Sequence, residues 1–83
     1  MLNRYSHKFV STCPNNGAQI IYQLEIETDG RMIQVEHIVT ATQLLKQGYH
    51  EQIADELHRR FGGRQILRAH HHGVDIETVR EDA

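Results

Sequence analysis

The sequence predicts an α+β fold: an antiparallel sheet with two consecutive helices packed on one of its faces. Three observations carry this reading. The N-terminal third alternates apolar and polar residues with period two; the apolar spacing changes to three and four after Val35; alternation returns after Gly62-Gly63. The expected order is strand, strand, a short strand, helix, helix, strand, strand.

Each element has its own local reason. Residues 4 to 12 put Tyr5, His7 and Phe9 on one side of an extended segment and Ser6, Lys8 and Val10 on the other. Cys13-Pro14-Asn15-Asn16-Gly17 then supplies a turn, since proline lacks a donor and Asn-Gly tolerates positive φ. Residues 18 to 28 form the clearest strand, with Ile20, Tyr22, Leu24 and Ile26 opposed to Gln23, Glu25 and Glu27; Ile21 interrupts the polar face. Asp29-Gly30 is a hairpin signal, which predicts a short return strand over residues 32 to 35.

Ile38, Ala41 and Leu45, with Leu44 alongside, make the apolar stripe of a first helix that Gly48 is placed to end. Residues 50 to 61 make a second. Ile53, Leu57 and Phe61 repeat at four residues beside Ala54, with Glu51 and Asp55 early and Arg59 and Arg60 late, as the helix dipole favours. Residues 65 to 72 read as a strand with Ile66, Arg68, His70 and His72 on one face and Leu67, Ala69 and His71 on the other. Gly73 permits a tight reversal into a last strand over residues 74 to 79.

Composition narrows the function classes. The 83 residues make one domain, 1–83, with one modest core. With 39% hydrophobic and 24% charged residues the composition is globular. Nine Lys/Arg against eleven Asp/Glu leave a net charge of -2, which disfavours nucleic acid and anionic membrane as partners of the whole surface. The lone Cys13 cannot form an internal disulfide, the N-terminus has no signal-like apolar run, and no stretch approaches the roughly 20 apolar residues of a membrane span. A cytoplasmic protein is expected.

The element order resembles the tunnelling fold of dihydroneopterin aldolase, 6-pyruvoyl-tetrahydropterin synthase and GTP cyclohydrolase I. The local match is to the aldolase: His50-Glu51-Gln52-Ile53-Ala54-Asp55-Glu56-Leu57-His58-Arg59-Arg60-Phe61 looks like its second helix, and residues 66 to 72 like the strand that follows. The resemblance implies subunits that assemble side by side into barrels and bind purines or pterins between them. It also marks Glu36 and Glu51, at strand–helix junctions, as pocket candidates. The aldolase pattern is incomplete, because Leu44-Leu45-Lys46-Gln47-Gly48-Tyr49 holds no carboxylate ahead of the second helix and His71-His72-Gly73 stands where a Lys-Pro pair is expected.

Seven histidines include three in a row, His70, His71 and His72. On a strand His70 and His72 face one way, so with His7 they form a candidate metal set, and zinc is the candidate cofactor because it takes imidazole ligands. The same histidines can be half-exposed strand residues at a subunit contact, or acid–base groups, since imidazole titrates near neutrality. His70, His72 and Glu51 are the catalytic candidates. Arg64 and Arg68, following Arg59 and Arg60, are candidates for an anionic ligand because a guanidinium fork matches phosphate and carboxylate, and the competing reading is surface pairing of Arg59 and Arg60 with Asp55 and Glu56. Cys13 reads as an ordinary residue beside a turn. Gly62-Gly63 follows a helix and precedes a strand, the reverse of a phosphate-binding loop. Two functional readings follow: a small self-associating or partner-binding protein, and, from the resemblance, a pterin- or purine-binding enzyme with an intersubunit site for a small-molecule ligand. Both expect a homo-oligomer.

Overall fold

A computed structural model describes residues 1–82. Its elements are β1 (Asn3–Thr12), β2 (Gln19–Thr28), α1 (Val35–Leu44), α2 (His50–Phe61), β3 (Arg64–His71) and β4 (Val74–Arg80). The strands form one antiparallel sheet in the order β1-β2-β3-β4. Both helices cover the same face, which is the expected α+β architecture.

Strand alternation decides what the helices meet. Tyr22, Leu24, Ile26, Leu67 and Ala69 point inward and are buried against Ile38 and Ala41 of α1 and Ile53, Leu57 and Phe61 of α2. Register enforces this, because Leu24 sits opposite Leu67 and Tyr22 opposite Ala69, so a one-residue slip would expose the whole set. Gln65 is buried on the same face, and its Nε2 donates to the carbonyls of Leu57 and Gly62, fixing the end of α2 to β3. At the far edge Arg80 Nε donates to Asp55 Oδ1 at 2.9 Å and ties β4 to α2.

Three details depart from the sequence reading. The return strand over residues 32 to 35 does not form. This segment is held by side chains instead of a ladder: Thr28 Oγ1 donates to the Arg31 carbonyl at 2.6 Å, Ile33 N–H donates to the Tyr5 hydroxyl at 3.0 Å, and the Ile33 side chain enters the core. The first helix stops at Leu44, short of Gly48, since the following residues leave to bond the end of β1, with Thr12 N–H on the Lys46 carbonyl and Gly48 N–H on the Thr12 carbonyl. Leu44 is consequently 67% exposed, and Thr42 takes its place inside by donating its hydroxyl to the Ile38 carbonyl. Finally, β3 ends at His71, and His72-Gly73 form the two-residue turn with φ of 53° and 77°.

Gly63 is required where α2 gives way to β3. Its φ is 71°, and a Cβ there would lie 2.5 Å from the Glu27 carbonyl oxygen. No helix among the described residues is long and apolar enough to cross a membrane.

Candidate functional site

The sheet separates the expected histidine set. His7 lies on the helix-covered face with its ring stacked 6.4 Å from Phe9, because it alternates with Tyr5 and Phe9. His70 lies on the opposite face, where its Nδ1 is 2.7 Å from Asp75 Oδ1. His72 stands in the turn, so it shares no strand face with His70. The three are not brought together, and among the described residues no group of three His, Cys, Asp or Glu side chains converges in the manner of a metal site.

The remaining candidates are also dispersed. Arg68 bridges Glu77 at 2.9 Å and Glu25 at 3.3 Å, and Arg64 reaches Glu81 at 3.3 Å and Glu27 at 3.9 Å, all on the open face of the sheet. The carboxylates beside Arg68 raise its pKa further above the ordinary guanidinium value, Glu77 first and Glu25 next. Arg59 and Arg60 pair with Glu56, whereas Asp55 turns to Arg80. Glu36 and Glu51 are exposed in the first turns of α1 and α2, where a carboxylate complements the unsatisfied amides.

A different constellation sits under the N-terminus of α2. A cavity of about 250 Å³ is walled by Cys13, Tyr22, His50, Ala69, His71 and Ile76. Its position follows from the chain path: the turn after β1 brings Cys13, the helix start brings His50, and alternation along β3 turns His71 inward behind Leu67 and Ala69. The turn is closed by Cys13 N–H on the Ala18 carbonyl and Gly17 N–H on the Cys13 carbonyl.

Aromatic rings organise the interior of this site. Phe9 stacks on Tyr22 at 5.3 Å, and Tyr22 meets the His50 ring at 5.5 Å and 41°. The ring nitrogens of His50 and Nε2 of His71 are buried and make no well-formed hydrogen bond, although the Leu67 backbone lies close enough to act on His50. A buried polar group left unmatched costs about 1–3 kcal/mol, so such nitrogens favour a partner able to donate or accept. Burial pushes the His50 imidazole below its ordinary value; the Leu67 backbone and the Glu51 carboxylate oppose that shift, and Arg80 adds to it. Burial, with Cys13 nearby, raises the Tyr22 phenol. At neutral pH the cavity therefore presents a neutral imidazole, which offers one donor and one acceptor, beside a protonated phenol.

His50 and His71 are the residues that the sequence reading did not select. The signal for His71 was present in its alternation with Leu67 and Ala69. For His50 there was none beyond its place at a helix start, because its meeting with Tyr22 depends on how α2 crosses the sheet.

No protein family matches this chain, and no curated protein sequence matches it. Among solved structures, the crystal structure of the archaeosine synthase QueF-Like in the apo form matches with a TM-score of 0.78, covering 99% of this chain and 94% of that one at 17% identity. The likeness extends over essentially the whole chain and shows that the two share a fold. It is a likeness of fold, and it does not single out the aldolase branch.

Proposed function

We propose that this chain is a subunit of a self-associating cytoplasmic protein that binds a purine- or pterin-class heterocycle in the cavity beneath α2, with a second copy completing the wall. The observation that carries the reading is His50: a buried imidazole held neutral, set against Tyr22 at the side of a cavity. Purines and pterins are flat and edged with alternating donors and acceptors, so they would stack on an aromatic wall and satisfy an imidazole that has one of each. His50 is also the group able to exchange a proton with such a ring. The shared fold with an archaeosine synthase supports the same ligand class.

The size of the cavity supports assembly. About 250 Å³ is below the roughly 300–1,000 Å³ of a typical small-molecule pocket. β4 pairs on one side only, and β1 does so except at Thr12, where the segment after α1 bonds it, so two sheet edges are left largely unpaired. Arg4 and Lys8 line the open face of β1, and Asp75 and Glu77 that of β4, so the two edges are complementary in charge. Val10 and Ile21, paired across β1 and β2, add an exposed apolar spot on that face.

Light scattering joined to calorimetric titration with xanthine, hypoxanthine and pterin tests the proposal. An oligomer that binds at least one of the three, and loses at least tenfold in affinity on His50→Ala, is the expected result. A monomer would overturn the shared wall. An oligomer that binds none at millimolar concentration would overturn the ligand class.

A further inference from the structure

A second cleft lies at the other end of α2. It is the larger one, about 600 Å³, and it is enclosed by the segment after β2, the first two turns of α1 and the last residues of α2. Ten residues separate His50 from Arg60, which at 1.5 Å per residue places the two sites roughly 15 Å apart along the helix axis. The cleft is thus separate from the cavity assigned above.

Its lining divides into two chemistries. Ile33, Ala41 and Phe61 are buried core residues and form an apolar floor. Arg31, His37 and Arg60 stand around it, and no carboxylate among the described residues lines it. Each of the three can be traced to its other obligations. One Arg31 nitrogen donates to the Phe61 carbonyl, which offsets the partial negative charge of the α2 C-terminus and leaves the rest of a five-donor guanidinium. Arg60 reaches Glu56 only at 3.4 Å, and that carboxylate is already engaged by Arg59 at 2.6 Å. His37 is exposed and makes no side-chain bond among the described residues.

We infer that this cleft binds an organic phosphate monoester, its phosphoryl group held by Arg31 and Arg60 and its apolar portion resting on Ile33, Ala41 and Phe61. Guanidinium groups suit phosphate through paired N–H donors. The floor explains why an organic phosphate fits better than a bare ion, because apolar area removed from water adds to its binding. The lining carries two guanidinium groups and no carboxylate, although the chain as a whole carries -2.

Titration of the ¹⁵N-labelled protein with phenyl phosphate, inorganic phosphate and phenol tests this. Phenyl phosphate should move the amides of Gln34, His37 and Arg60 and bind at least threefold more tightly than inorganic phosphate, while phenol leaves them in place. The double variant H37A/R60A alters only exposed side chains and should weaken phenyl phosphate at least fivefold with an unchanged far-ultraviolet dichroism spectrum. No shift at these amides up to 10 mM of the probe, or equal affinity for the double variant, would overturn the inference.

Discussion

Asn16 Nδ2 lies 2.6 Å from His72 Nε2, and this contact joins the turn after β1 to the turn between β3 and β4. The roles of the atoms follow from Asn16 itself. Its Oδ1 accepts the Ala18 N–H at 3.0 Å, so its amide nitrogen is the donor and His72 Nε2 the acceptor. The His71 ring stacks 4.2 Å from His72, so the latch also supports one wall of the α2 cavity.

His72 should therefore hold its proton on Nδ1. Imidazole ¹⁵N shifts at pH above 8 will report that tautomer, and an Nε2–H form would contradict the geometry. Asn16→Ala removes the latch and should cost about 1 kcal/mol, an ordinary hydrogen bond, in urea unfolding. It should also speed amide exchange at Ala18.

The lowered pKa of His50 contributes to the pH dependence of stability. The ordinary histidine value is 6.5 and burial lowers it in the fold, so between the two values the unfolded chain binds more protons. Stability is therefore full above about 6.5 and declines as pH falls toward the folded value. His50→Phe keeps a ring against Tyr22 and removes the titrating nitrogens. Thermal melts across pH 5 to 8 should show the native protein losing ground to this variant on the acid side. A parallel pair of curves would mean that the His50 pKa is the same in the folded and unfolded chain.

Two glycines in left-handed geometry separate strain from collision. Gly17 has φ 74° with open space around it, while Gly63 has φ 71° with a backbone oxygen 2.5 Å from the point where a side chain would begin. Gly17→Ala should cost about 1–2 kcal/mol, the left-handed penalty alone. Gly63→Ala should cost several kcal/mol, since the Glu27 backbone in a central strand cannot give way. Equal costs in chemical denaturation would show that β2 yields at Glu27.

Much of this fold could be read from periodicity, and the exceptions have physical causes. Tyr22, Leu24 and Ile26 are inside because they alternate, and Ile53, Leu57 and Phe61 because they share a helix stripe. The Asp29-Gly30 signal overstated the hairpin, since Ile33 is satisfied by the hydroxyl of Tyr5, a partner 28 positions away. The histidine run misled for a related reason. A two-residue turn had to use His72 and Gly73, which removed His72 from the strand and left His71 facing the cavity. A site made where a helix start meets a strand end has no spacing of its own in the sequence.

Charge complementarity between the sheet edges makes the assembly directly testable. Asp75 is almost fully exposed and Lys8 is exposed, so reversing either changes the edge field without disturbing the core. Lys8→Glu sets a carboxylate on the β1 edge against the acidic β4 edge of the next copy, and Asp75→Lys sets an ammonium on the β4 edge against the basic β1 edge. Each variant should dissociate the oligomer in light scattering at low salt, because like charges at an interface cost several kcal/mol. An equimolar mixture of the two variants should reassociate, since a basic β4 edge then meets an acidic β1 edge. If both single variants keep the native mass at low salt, the copies do not meet through β1 and β4, and the missing wall of the α2 cavity must come from another surface.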